Sequence, residues 1–477
     1  MSSVQQDTPI SAQSANLRPS SLGFMETIGQ SLANISPTMT PSINVVSLVA
    51  LAGFGSWLIY GISTIALLFV GLNIVVLASR FAAAGSFFIF ISRSLGPVAG
   101  GFAGWGLIAA YTGTAMGVLA GEAIFVQNAF SPWGINVPTW VVYVVSAALV
   151  WFLAARDVKL SSRLSLAIEG ASIVIVGGVL FFAFRQHPER IVDHAQLSLQ
   201  GTTTKGMAEA MVMGIFSFVG FESAASLGKE TKDPLRAIPR AVIWSMILAG
   251  VFFMFVAYAM VVAYGGNVNK LGNDTAPLQT LLTGFGVPML APLFYLIASL
   301  SAFACVLASI NASSRLLFSM GRYQFVHRSM GMVHTTHQTP HYAVAFSSIL
   351  SLVVVIALLG TGALNTFGYT STFATFGFIV VYFLISLSAP IYLKKQGQLK
   401  LANVIIGILG AVSMIGVFVG SVYPVPEWPY NLLPYLFVVY MAFGLLWLLM
   451  LKKRSPQLLD KIEHDLEANE SEIFGRK

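Results

Sequence analysis

Three glutamates stand where ionisable groups are rarest, inside long apolar runs: Glu122, Glu169 and Glu222, with Glu209 nearer the end of another. None has a Lys or Arg at comparable depth in its own run. A charged side chain in a membrane interior is costly, and such residues mark proton relays, ion paths or substrate sites. A carboxyl so placed can take up a proton, stay charged and attract a cation, or tie two helices together as a neutral hydrogen-bonding group. Counting ~1.5 Å per residue from the start of its run puts Glu169 about 14 Å deep, near a bilayer midplane. Glu222 and Glu169 are the candidates for proton or cation coupling. Glu122, close to one end of its run, reads as interfacial.

Other chemistries find little support. His334, His337 and His341, with His327 nearby, have spacings that zinc can use, but they fall in one loop between apolar runs and no metal site is expected. Cys305 is the single cysteine, which excludes a disulfide framework or a cysteine-ligated metal. Gly100, Gly101 and Gly104 follow no strand, so they suggest close helix packing and not a nucleotide loop. No catalytic triad, P-loop or metalloprotease motif occurs, so neither an enzyme nor a cofactor is expected. The formal charge is +7, but the basic residues are dispersed, which argues against a nucleic-acid partner.

The elements that must position the glutamates follow from composition. The 477 residues are 56% hydrophobic and only 9% charged, against about 25% charged in soluble domains. About 20 apolar residues cross a bilayer as a helix, and twelve stretches qualify. They lie at roughly 28–53, 57–80, 97–128, 137–155, 160–184, 206–228, 240–264, 286–320, 341–360, 363–392, 400–421 and 432–453. The third and eighth are too long for a perpendicular crossing and are expected to tilt. With the N-terminus in the cytoplasm, only Arg185, Arg190, Lys205 and Lys270 of 26 basic residues fall outside. The positive-inside rule therefore puts both termini in the cytoplasm. The polar start, 1–27, lacks a signal-peptide pattern, and the charged end, 454–477, reads as a solvated tail.

Two runs are interrupted. The first contains Ser36-Pro37-Thr38-Met39-Thr40-Pro41, in which two prolines each remove a helical donor. The sixth contains Phe216-Ser217-Phe218-Val219-Gly220-Phe221-Glu222. These runs hold matching places in two five-helix halves, 28–184 and 206–392. Interrupted helices in corresponding positions point to a transporter binding site, because unwound backbone survives in a membrane only where it lines a cavity or is buried in protein.

Gly220-Phe221-Glu222-Ser223 leads into Lys229-Glu230-Thr231-Lys232-Asp233-Pro234-Leu235-Arg236-Ala237-Ile238-Pro239-Arg240-Ala241. Further on stand Ser314-Arg315-Leu316-Leu317-Phe318-Ser319-Met320-Gly321-Arg322, His334 and Thr339-Pro340, and earlier Ala84-Gly85-Ser86, Leu95-Gly96-Pro97 and Gly104-Trp105. In these segments the chain resembles the amino acid–polyamine–organocation permeases. The resemblance covers the ten core helices in order. It implies an all-α membrane protein with a leucine-transporter-type 5+5 inverted repeat, residues 28–392, plus two accessory helices, 400–453, twelve in all.

It also implies alternating access, with a solute held between helices one, three, six, eight and ten. By that resemblance Ser36, Thr38, Met39, Thr40, Phe216, Phe218, Gly220 and Ser309 contribute to substrate binding, Phe216 as an aromatic gate. An acid at Glu222 is similar to that of arginine/agmatine antiporters. Ser172 stands about where some proton-coupled relatives carry a lysine. The helix-one break departs from the Gly-x-Gly usual in amino acid carriers and is similar to the glycine-poor break of putrescine importers. The expected function is secondary transport of an amino acid or related amine, proton coupling being open, in a bacterial plasma membrane. The alternatives are a polyamine importer or exchanger and, from another class, a non-transporting sensor or scaffold.

Overall fold

The computed structural model describes Leu17 and residues 22–82, 85–156 and 158–454, without the side chains of 40, 41 and 158–162. Most of the N-terminal tail, Ala84 of one family motif, the Thr40 side chain and the C-terminal tail beyond Arg454 lie outside the described residues.

The first apolar run is split, as its prolines require. Helix α1, Phe24–Ile35, stops at Ser36, which caps it in a left-handed conformation (φ 49°). A π-helical turn, Thr40–Asn44, then leads to α2, Val45–Ala52. The chain continues through α3, Ser56–Ala78, and the short α4, Ser86–Leu95, to α5, Pro97–Phe130. Next come α6, Thr139–Arg156, and α7, Val158–Gln186. Helix α8, Thr204–Phe216, ends at the second interruption, beyond which only a 3-10 turn, Ser223–Ser226, precedes α9, Pro234–Ala263. The rest comprises α10, Ala291–Arg322, α11, His341–Ala357, α12, Ala363–Lys395, α13, Leu401–Val422, and α14, Leu433–Arg454.

Among the described residues nine helical runs are long and apolar enough to cross a membrane. This makes the chain an all-helical, multi-pass membrane protein. The count differs from the twelve expected stretches for physical reasons. The first and sixth are broken, and the ninth, α11, has 17 residues. The second half of the first stretch runs on into α3 as a single helical run, Ser42–Ala78. That run turns at Gly53, whose φ of 52° suits glycine. Helices α5 and α10, 34 and 32 residues long, exceed a perpendicular crossing as anticipated.

Helix α5 is the axis of the bundle: 94% of its apolar window is buried, against 22% for the α14 window. It packs along α10 on one side and α12 on another. Small residues permit that approach: a Cβ on Gly377 would lie 2.5 Å from the Gly106 carbonyl, and one on Gly113 would lie 3.0 Å from the Ala374 Cβ. Interfaces between membrane helices rely on such residues because lipid offers no hydrophobic drive for association. Helix α1 packs against α7, α9 and α10, which brings both interruptions into the interior.

Candidate functional site

The two interruptions meet. Gly220 (φ 93°) lies against Asn34 of α1, and a Cβ there would sit 2.3 Å from Asn34 Nδ2. A positive φ and this close approach leave room for glycine alone. The segments are also sewn together on the side toward Ser223. Ser223 Oγ donates to the Gln30 carbonyl at 3.3 Å, and the Ala224 N–H donates to Ser31 Oγ at 3.2 Å.

Glu222 is fully buried and accepts two hydrogen bonds, from Tyr111 Oη on α5 (2.9 Å to Oε1) and Tyr382 Oη on α12 (2.6 Å to Oε2). No cation pairs with it among the described residues. Phe221, Phe378 and Tyr382 form an aromatic wall beside it, with ring centroids 5.6 Å apart for Phe221–Tyr382 and for Phe378–Tyr382. Three elements thus fix one carboxylate in an otherwise apolar setting.

A second polar cluster spans α1, α7 and α10. Ser301 Oγ donates to Glu169 Oε1 at 2.7 Å and lies 3.0 Å from Ser36 Oγ. Glu169 is fully buried, and its Oε2 has no hydrogen-bond partner among the described residues. Ser309 donates to Asn34 Oδ1, and the Cys305 thiol donates to the Asn34 carbonyl at 3.1 Å. Asn34 Nδ2 and Thr38 Oγ1 are buried without a hydrogen-bond partner among the described residues.

The other expected residues take varied positions. Met39 is buried beside Gly121 of α5. Phe216 ends α8 with its ring edge-on to Phe367 of α12 at 5.9 Å. Phe218 is enclosed by Tyr60 and Phe253, at 6.3 and 5.2 Å. Glu122, read as interfacial, is instead covered by α6 and accepts a hydrogen bond from Ser146. The Ser146 hydroxyl ties α6 to α5 through this carboxyl. Among the described residues no three His, Cys, Asp or Glu side chains group to hold a metal ion. Sequence reasoning passed over Asn34, Tyr111, Tyr382 and Ser301. Only Asn34 carried a signal, its place two residues before Ser36.

Opposed helix interruptions, buried polar groups between them and a shell of membrane-long helices define a multi-pass membrane transporter. Residues 27–455 match the family model described as amino acid permease, and the chain belongs to that family. This agrees with the resemblance carried by the loop after the sixth run, and the family comprises transporters, not enzymes. The chain is 27% identical over 344 residues to an uncharacterized transporter of Mycobacterium tuberculosis, covering 70% of this chain and 72% of the relative. It is 24% identical over 369 residues to the branched-chain amino acid permease BcaP of Bacillus subtilis (74% and 76%). It is 25% identical over 329 residues to the low-affinity putrescine importer PlaP of Escherichia coli (65% and 71%). As a member of the amino acid permease family, the protein is a membrane transporter.

Proposed function

We propose that the chain is a secondary carrier of an amine-bearing solute across a bacterial plasma membrane, working by alternating access. In this reading it has twelve spans, a ten-helix core at 28–392 and cytoplasmic termini. The observation that carries it is Glu222, a buried carboxyl held by Tyr111 and Tyr382 with no cationic partner among the described residues. A carboxylate has about four lone-pair sites, and the two phenols occupy two. A solute ammonium can take a third in direct contact, and a proton can neutralise the group when the site is empty. Either event favours one arrangement of the interrupted helix over the other, which is how a local charge biases a two-state element.

The helix-one break supports the amine reading. Pro37 offers no amide to a solute carboxylate, leaving the Thr38 hydroxyl and the Asn34 amide as donors, with the Ser36 hydroxyl already bonded to Ser301. Phe216, seated on Phe367, is the ring that closes over the solute. The likeness to a putrescine importer favours amines and polyamines, and that to a branched-chain permease keeps ordinary amino acids in view. Ser301 joins Glu169 to the helix-one break, which gives coupling a second candidate group.

Uptake in proteoliposomes, with decarboxylated analogues set against their parent amino acids as competitors, tests this. Decarboxylated analogues should compete at least as well as the parents. If only α-amino acids compete, the amine preference fails; if nothing is taken up, a sensor or scaffold replaces the carrier.

A further inference from the structure

The loop between α10 and α11 carries His327, His334 and His337, and His341 opens α11. Two of these imidazoles hold the main chain. His327 Nδ1 accepts the Ser329 N–H at 3.3 Å and caps a 3-10 turn, Arg328–Gly331. His334 Nδ1 accepts the N–H groups of Thr336 and His337 at 3.2 and 3.3 Å. A main-chain N–H can only donate, so both accepting nitrogens carry no proton. Each ring is therefore neutral in this loop, with its one proton on Nε2.

A second proton would turn each acceptor into a donor facing a donor. The neighbouring rings add to the penalty. The His334 and His337 centroids are 4.8 Å apart, and those of His334 and His341 5.4 Å, close enough for imidazolium charges to repel. His341 also lies against the Tyr342 ring at 4.2 Å. Among the described residues, the elements packed around the loop end in basic groups: Arg93 of α4, Arg156 of α6, Arg322 of α10, and Lys452, Lys453 and Arg454 of α14. Arg328 stands in the loop itself, and Asp157, next after Arg156, lies outside the described residues.

The loop is also a joint between helices. The His334 N–H donates to the Thr339 carbonyl at 2.9 Å, and the Gln338 N–H donates to the His334 carbonyl at 2.9 Å. The same turn carries Thr339, whose buried hydroxyl donates to the Ala155 carbonyl at the end of α6. On the other flank Val333 packs on Phe318 of α10. Gly331 lies so close to the end of α10 that a Cβ would sit 2.7 Å from the Arg322 nitrogen. The end of α10 is thereby fastened to the end of α6. Helix α10 in turn carries Ser301 and Ser309, which bond Ser36 and Asn34 at the helix-one break.

We propose that this loop is a proton-operated brake: neutral His327 and His334 keep α10 fastened to α6, and their protonation releases the joint and slows transport. His327 and His337 are exposed and His334 is half-buried, so protons reach them from the side the loop faces. In the orientation proposed above that side is the cytoplasm, and the brake answers internal acidification. Because the fastened loop excludes protons that a released loop binds, its stability falls as pH drops through the histidine range, about pH 8 to 5.

Hydrogen exchange in the full-length protein tests the joint, at about pH 7.5 and about pH 5.5, either side of the ordinary histidine pKa of about 6.5. After correction for the intrinsic exchange rate, amides of residues 327–339 should exchange at least tenfold faster at the lower pH, while those of α5 are unchanged. His327→Asn with His334→Asn puts an amide oxygen where each Nδ1 accepts, and that oxygen does not titrate; asparagine also suits the cap of a helical turn. Its two rates should agree within threefold. His334→Ala, which has no acceptor, should exchange fast at both. Equal protection at the two pH values in the unaltered protein overturns the proposal, and so does a pH response that survives in the double Asn variant.

Transport tests the consequence. Cells take up labelled leucine or putrescine while a permeant weak acid lowers internal pH at constant external pH. Uptake by the unaltered protein should fall at least threefold further than uptake by the double Asn variant, which shares any change in driving force. An equal fall in both overturns the brake. Uptake of neither solute sinks the carrier reading, and hydrogen exchange alone then decides whether protons release the joint.

Discussion

Glu222 draws its two hydrogen-bond donors from residues 111 and 160 positions away in the chain. A bond to a charged group contributes about 1.5–3 kcal/mol, and each 1.4 kcal/mol is about tenfold in an equilibrium constant. Tyr382→Phe removes the donor at 2.6 Å and nothing else of the ring. Affinity for cationic amines should shift by about tenfold or more, while neutral solutes are bound nearly as before; competition binding checks this. Glu222→Gln keeps the shape and removes the titration, so it should abolish either the pH dependence of uptake or the preference for cationic solutes. If both survive in that variant, the residue is a structural hydrogen-bonding group. Phe216→Ala should lower uptake far more than surface expression, since Phe367 alone cannot close over a solute. Normal uptake by a well-expressed variant would remove the gate.

At the scale of the element, the two interruptions hold unlike conformations. The first is made by prolines and a left-handed Ser36, the second by turns around Gly220. Gly220→Ala puts a methyl group 2.3 Å from Asn34 Nδ2 in a backbone region that L residues avoid. A cost of about 1–3 kcal/mol is expected from the strain alone, seen as a lower melting temperature and reduced uptake. Asn34→Ala in the same protein should recover part of the stability by clearing the contact.

The interruptions, the two long helices and the buried acids were legible in the sequence because proline, glycine and charge stand out in apolar runs. The tyrosine pair was not. A tyrosine in an apolar span looks the same whether its hydroxyl meets a carboxylate or another partner, and only the packing of α5 and α12 around Glu222 decides. Among the described residues nine helical runs are long and apolar enough to cross a membrane, against twelve apolar stretches in the sequence, for a related reason. Hydropathy counts apolar residues and cannot see where the backbone turns.

Across the molecule, the buried ion pair Glu230–Arg315 is, among the described residues, the one place where a full positive charge is fully enclosed and matched by two oxygens. Removing one partner of such a pair costs about 3–5 kcal/mol, because the other is left charged and dry. Arg315→Ala should therefore lower thermal stability markedly, and Arg315→Met combined with Glu230→Leu should restore much of it; differential scanning of the purified variants separates the cases. A double variant no more stable than Arg315→Ala would mean that the guanidinium's bonds to Asn311 and Ser314 matter more than its charge.

The polar bonds that support helix one come from far along the chain. Gln30 reaches the Ala308 carbonyl across 278 residues, Asn34 meets Ser309 across 275, and Ser36 meets Ser301 across 265. A ribosome delivers helix one to the bilayer long before α10 exists. In that interval the open turn at Ser36–Thr40 and the side chains of Gln30 and Asn34 have only lipid, the insertion machinery or earlier-made helices for company. Each unsatisfied polar group costs several kcal/mol in hydrocarbon, so the first half of the chain must be sheltered until the second arrives. Nascent chains stopped before α10 should stay bound to the insertion machinery and be degraded on release, whereas those stopped after Arg322 should be protected. Pulse-chase of stalled chains distinguishes the two, and equal lifetimes would mean that helix one finds its partners without α10.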